Sequence, residues 1–305
     1  MSTPPDRLLR RLEWRVVRRL DGRLLGSYRT AFRGSGIDFS DLRGYTPSDD
    51  VRHIDWNVTA RLDEPYVRQY LQDRELTAWL VLDRTASMRV GPAREPRSLD
   101  GAGKDSTLTD LAVCLARLFT HDGNRVGAIL YDNASRRVIP PGTGRTHVLH
   151  LAHEITRAKP STPDGRPTDL AAMIHMAAAT VRRRSLVFVL SDFIGDGDWG
   201  AALRRLGQRH EVVAIRIVDP EELDLPELGL VLVEDAETGE QFLADTSDPM
   251  LRQRFRDQVD AREEAVSASM RQARVGAHRI TTDVDLAQTL VDMVRHTRHR
   301  SRGTT

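Results

Sequence analysis

The 305-residue chain predicts an α/β fold: a mostly parallel sheet flanked by helices, preceded by an N-terminal helix and an irregular extension. Three observations carry this. Two short apolar runs, LTAWLVLD (76–83) and SLVFVLSD (185–192), have the length and continuity of strands buried on both faces. Around them, helical and strand patterns alternate, as crossovers between parallel strands require. Hydrophobic residues make up 40% of the chain against 29% charged, which is enough for a sizeable core.

The elements follow in order. Residues 6–29 form an amphipathic helix, with Leu8, Leu12, Val16, Leu20 and Leu24 recurring every four positions. Arg10, Arg11, Arg15, Arg18, Arg19 and Arg23 cover the rest of it. Such a helix packs on its own domain with a solvated Arg face, or binds an acidic membrane or partner. Residues 30–75 are rich in glycine and carboxylates and lack a helical period, so they read as loops and short extended pieces. Residues 1–75 are thus one segment, and 76–300 the α/β domain. Within the latter, 92–105 is a loop, and a helix runs over 106–123 from a Ser106 cap. Strands over 124–132 and 136–142 are joined by a tight turn. Helices are expected over 145–158 and 168–184, before the 185–192 strand. Helix 199–210 leads to strand 211–219. A hairpin insertion spans about 219–245, turning at Glu237–Glu240. A long helix at about 249–273, a short one at about 285–297 and a basic tail (301–305) complete the chain.

Composition narrows the function. Net charge is +1, from 45 basic and 44 acidic residues, which argues against a dedicated nucleic-acid binder. Of the basic residues only Lys104 and Lys159 are lysine. The lone cysteine, Cys114, allows no intrachain disulfide and fits a reducing cytoplasm. No stretch approaches ~18 apolar residues, so no transmembrane segment is expected. Peripheral membrane association through the basic helix stays open.

Ligands of parallel sheets gather beyond the carboxyl ends of the strands, which directs attention to Asp83 and Asp192. The run LVLDRTASM sets Asp83, Thr85 and Ser87 at alternate positions after the first buried strand. Thr168 opens a later helix. If the two strands are neighbours, two carboxylates and three hydroxyls converge. Hard oxygen donors suit Mg²⁺ or Mn²⁺. Two carboxylates neutralise a divalent ion, and an open position could accept a carboxylate from a partner. No nucleophile is evident. His147, His150 and His153 lie on a helix without zinc-site spacing and read as a solvated face. Asp196 and Asp198 read as a polar turn, and Cys114 as core.

The set Asp83-x-Thr85-x-Ser87, with Thr168 and Asp192, resembles the metal-ion-dependent adhesion site (MIDAS) of von Willebrand factor A domains, with Thr85 where serine is usual. Upstream, FRGSGIDFSDLRGYTPSDDVRHIDWNVTARL is similar to the signature of the MoxR-associated "domain of unknown function 58" family. The matching positions are Gly34 and Gly36, Asp38-Phe39, Arg43, Tyr45, Asp49, Asp50, Arg52, Ile54, Asp55, Trp56 and Ala60-Arg61. The resemblance covers about 25 to 300. It implies a bacterial chain with a von Willebrand A-like domain, working with a MoxR-type AAA+ ATPase in chaperone-like assembly or cofactor insertion. The interleaved acids and arginines of the signature read as an ion-pair clamp with Trp56 buried, or as a docking surface for the ATPase.

The expectation is therefore a metal-dependent protein-binding adaptor rather than an enzyme. Thr85, Ser87 and Thr168 supply hydroxyl ligands, Asp83 and Asp192 hold the ion partly through water, and a partner's Asp or Glu completes the shell. The alternatives are a metal-dependent phosphoesterase, or a metal-free scaffold that binds through the Arg-rich helix.

Overall fold

A computed structural model describes residues 42–46, 51, 54, 56–62, 64–68, 76–89, 103–121, 123–158, 165, 167–235, 238–284, 286 and 290. The helices expected at 6–29 and 285–297 and the basic tail lie wholly or largely outside the described residues. Two compact units are present, Arg33–Glu75 and the remainder of the chain.

In the smaller unit, β1 (Leu42–Gly44) pairs antiparallel with β2 (Tyr66–Arg68). Between them lies α1 (Trp56–Leu62). The Thr59 hydroxyl accepts the Tyr66 N–H at 3.1 Å and ties the helix to β2.

The larger unit starts with β3 (Thr77–Asp83), α2 (Lys104–His121), β4 (Arg125–Tyr131) and β5 (Arg136–Gly142). It continues with α3 (Gly144–Arg157), α4 (Leu170–Thr180), β6 (Leu186–Ser191), α5 (Trp199–Arg209) and β7 (Glu211–Val218). The hairpin β8 (Leu230–Glu234) and β9 (Gln241–Asp245), the long α6 (Pro249–Ala273) and β10 (Gly276–Thr281) follow. Six strands form one sheet in the order β10-β7-β6-β3-β4-β5. All neighbours are parallel except β4 and β5.

The apolar runs are continuous because the sheet is covered on both faces. Leu80, Leu82, Phe188, Leu190, Ile215 and Ile217 pack with α2 and α3. The alternate residues Trp79, Val81, Val187, Val189 and Ala214 pack with α4, α5 and α6. Period-2 alternation thus sorts each strand between two cores. Three of the helices, α4, α5 and α6, start on carboxylate caps: Asp169, Asp198 and Asp248 accept the N–H of Ala172, Ala201 and Met250. Helix α2 does not start at the expected Ser106 cap. It begins at Lys104, after Gly103 at φ 135°. Helix α4 is shorter than expected, because its cap is Asp169 and its backbone turns extended at Val181.

Edge strand β5 carries Pro140 and Pro141, at an irregularity in its register with β4. No helix among the described residues is long and apolar enough to cross a membrane.

Candidate functional site

From β3 the chain winds outward through β4 to β5, then crosses back to β6 and winds the other way through β7 to β10. The order therefore reverses between β3 and β6. In open α/β sheets this switch point is where a crevice forms beyond the strand ends. Asp83 is the last residue of β3, and Asp192 directly follows β6. The condition that the two apolar runs be neighbours is met, in parallel register from Ala78↔Leu186 to Leu82↔Leu190.

A chain of short hydrogen bonds builds the site. Asp83 Oδ1 accepts the Thr85 N–H at 3.0 Å and the Thr85 hydroxyl at 2.6 Å. Thr85 Oγ1 lies 3.3 Å from Ser87 Oγ. Asp83 Oδ2 accepts the Ser191 hydroxyl at 2.6 Å, and Ser191 Oγ accepts the Phe193 N–H at 2.9 Å. Asp192 Oδ1 accepts the Ile194 N–H at 3.0 Å. Phe193 adopts φ 56°, a left-handed conformation that costs a non-glycine residue about 1–3 kcal/mol. Its buried ring, 5.3 Å from that of Trp199, holds it there. The turn after β6 thereby aims two successive N–H groups back at Ser191 and Asp192.

Thr168 reaches the same edge through its backbone. Its carbonyl accepts the N–H of Asp196 at 3.1 Å, and Asp169 bridges to Asp196 as a short parallel pair. Asp83, Thr85, Ser87, Thr168 and Asp192 are all buried. Burial, then the Asp192 charge, pushes the Asp83 carboxyl up to about 6, against the lowering effect of its hydrogen bonds from Ser191 and Thr85.

The second anchor of the site is a cation that the sequence reading did not single out. Lys104, only 1% exposed, places Nζ 2.9 Å from Asp192 Oδ2 and 2.6 Å from Glu222 Oε1. Burial alone would lower the Lys104 pKa, but Asp192 and Glu222 together outweigh it and hold the ammonium above the ordinary lysine range. Burial also raises the Glu222 carboxyl, partly offset by Lys104. On the far side of Asp192, Arg216 donates from Nε to its carbonyl at 2.9 Å and grips Glu263 with both terminal nitrogens at 2.8 and 2.5 Å. One signal was available for Lys104: it is one of two lysines in an arginine-dominated chain. Ser191 sat in plain view beside Asp192. Nothing in the sequence marked Arg216 or Glu222.

A cavity of about 650 Å³ opens at this edge. Ser87, Lys104, Asp192 and Glu222 form its polar wall, and Phe193, Trp199, Phe242 and Phe255 are among its apolar lining. Asp83, Thr85 and Thr168 lie outside the lining. The donor chemistry fits a hard divalent ion: hydroxyls in contact, a carboxylate on each side and no soft ligand. Among the described residues no group of three or more His, Cys, Asp or Glu could hold a metal, so such a site depends on hydroxyl oxygens.

The other expected positions fall elsewhere. His147 is engaged with the Val126 carbonyl at 2.7 Å, Asp198 caps α5, and Cys114 is buried in the core. In the signature segment, the Tyr45 N–H donates to the Pro65 carbonyl at 2.7 Å, and Arg61 is exposed on α1. The backbone of Arg43 lies in β1. Trp56 is 68% exposed, so the expectation of a buried tryptophan is corrected. Val58, about 200° further round the helix at 3.6 residues per turn, takes the inward position and leaves Trp56 outside. Asp49, Asp50, Arg52 and Asp55 lie outside the described residues.

An uncharacterized protein of Mycobacterium tuberculosis is 37% identical over 298 residues, which are 97% of this chain and 89% of that protein. An uncharacterized Mycobacterium avium protein is 34% identical over 167 residues, 54% of this chain and 95% of that one. Among solved structures, BatB of Bacteroides thetaiotaomicron matches with a TM-score of 0.47 at 13% identity, over 73% of this chain and 98% of that chain. The SpRpn10 VWA domain matches with a TM-score of 0.38 at 12% identity, over 73% and 95%. The family profile described as "Protein of unknown function DUF58" matches residues 41–265. The chain belongs to the DUF58 family.

Proposed function

We propose that this chain is a protein-binding adaptor that holds a divalent ion, Mg²⁺ or Mn²⁺, at the β3–β6 switch point and presents it to an acidic side chain of a partner protein. The observation that carries the reading is the buried chain Asp83–Thr85–Ser87 beside Asp192, of which Ser87 and Asp192 line a cavity wide enough for a partner's side chain. In this reading Thr85, Ser87 and Thr168 supply hydroxyl oxygens, and Asp83 and Asp192 hold the ion through water. The ion supplies the positive charge that attracts the partner's carboxylate. Membership of the DUF58 family, with the signature resemblance, supports a MoxR-type AAA+ ATPase as the partner and chaperone-like assembly or maturation of clients as the task. The place of action is the bacterial cytoplasm, in keeping with a single, buried cysteine.

Binding is favoured over catalysis because Asp83, the residue a phosphoryl-transfer reading would need as nucleophile, is fully buried with both oxygens engaged by Thr85 and Ser191. The test is co-precipitation with a MoxR-type AAA+ ATPase of the same organism, with Mg²⁺ or with a chelator. Complex that forms with Mg²⁺ and is lost with chelator, in Thr85→Val and in Ser87→Ala is the expected result. Complex indifferent to chelator but lost on charge reversal of Arg15 and Arg19 would replace it with the metal-free scaffold. Mg²⁺-dependent turnover of a phosphate ester, abolished in Asp83→Ala, would replace it with an enzyme.

A further inference from the structure

Lysine is out of place where this one stands. Lys104 is the first residue of an 18-residue helix, where the helix dipole disfavours positive charge. It is also buried, which disfavours charge again. Such a position persists only if something nearby needs a cation. Asp192 and Glu222 do: their carboxylates come from the ends of β6 and β7 and meet on the one ammonium, at 2.9 and 2.6 Å. Asp192 is at the same time one of the two carboxylates that a divalent ion at this edge would use.

We infer that Lys104 is the resident counter-cation of the site: its ammonium competes with the divalent ion for Asp192, and Glu222 is the position it retains when the ion is bound. The inference rests on the metal-binding reading above and adds its control. An ammonium is a compact charge on a flexible four-carbon stem, so it can leave one carboxylate and stay with the other without moving the helix. The two carboxylates differ in the right sense. Asp192 is sealed, its side chain 1% exposed and its other oxygen fixed by the Ile194 N–H. Glu222 is 17% exposed. Both line the cavity with Lys104, so a partner's carboxylate arriving there meets the ammonium as well as any ion. The site then keeps its carboxylates compensated with or without metal, and metal uptake is tied to partner arrival rather than to free ion alone.

The test is Mn²⁺ titration of the full chain by calorimetry, in wild type, Lys104→Met and Glu222→Gln, with thermal melts alongside. Removing the ammonium should tighten Mn²⁺ binding about tenfold, since a positive charge next to the ion is lost and Asp192 is left uncompensated. Mn²⁺ should also raise the melting temperature of Lys104→Met more than that of wild type. Glu222→Gln should act in the opposite direction and weaken Mn²⁺ at least about threefold, because the ammonium then has Asp192 as its one charged partner. If Lys104→Met does not fold, the weakening in Glu222→Gln decides. Binding by Lys104→Met alone supports the competition. Equal Mn²⁺ affinity in all three proteins overturns the inference and leaves the metal site standing. No Mn²⁺ heat from wild type or Lys104→Met at millimolar ion overturns both.

Discussion

The backbone of Gly195 passes so close to Thr168 that a Cβ on it would stand 2.4 Å from the Thr168 carbonyl oxygen. No side chain fits in that space, and the atom in the way is backbone, which cannot swing aside. Gly195 is therefore the hinge pin that lets the turn after β6 dock on the segment before α4. Gly195→Ala should lower stability by about 1–3 kcal/mol, measured by urea unfolding. It should also weaken Mn²⁺ binding, since Thr168 is displaced with the turn. Unchanged unfolding would show that the two segments do not need each other.

Asp83 predicts a stability that falls as pH rises. Its folded carboxyl titrates at about 6, above the ordinary aspartate value near 3.9. The folded state thus holds a proton that the unfolded state has already lost. This contribution is fully present below about pH 4 and is gone above about pH 6. Asp83→Asn, without divalent ion, should stabilise the chain at pH 7 by about 1–3 kcal/mol and give no gain at pH 4. Thermal melts at the two pH values check this. A pH-independent difference would mean that the charge of Asp83 is compensated.

His210 works in the opposite sense. It is 4% exposed, and neither ring nitrogen has a hydrogen-bond partner among the described residues. Burial, with Arg209 nearby, lowers its pKa. The unfolded chain takes up a proton at about pH 6.5 that the folded chain refuses. Stability should therefore decline as pH falls below about 6.5. His210→Leu should flatten that decline and, by removing two unsatisfied polar atoms, add about 1 kcal/mol at neutral pH. Chemical denaturation from pH 5 to 8 separates the two effects.

Arg216 joins three elements: it lies on β7, donates to the Asp192 carbonyl after β6 and grips Glu263 on α6. Arg216→Met leaves the buried Asp192 carbonyl without its donor and Glu263 with Arg279 as its remaining ion-pair partner, and should cost about 1–3 kcal/mol in unfolding experiments. Glu263→Gln keeps an oxygen for one of the two bonds and should cost less. Equal costs would mean that the carbonyl contact contributes nothing.

Much of the fold was legible because the two central strands are buried on both faces and therefore read as unbroken apolar runs. The end of each run marked Asp83 and Asp192, while their adjacency entered the sequence reading only as a condition that the structure meets. The start of α2 was not legible. Ser106 is a good local cap, and a local preference of about 1 kcal/mol looks decisive in a sequence. What sets the start is Lys104, drawn to Asp192 and Glu222 from distant stretches, and no window of residues displays that pairing. Trp56 misled for the same reason. A large aromatic ring suggests burial, but a seven-residue helix has one inward face, and Val58 occupies it.

The prolines of β5 carry a consequence for association between copies. An outer strand ordinarily offers a ladder of free amides to any passing chain. Here Pro140 and Pro141 remove two successive donors, one of them on the outward side, at a point where the ladder is already out of step. That flank of the sheet is therefore a poor template for a seventh strand, which disfavours lateral stitching of copies there even when the protein is concentrated.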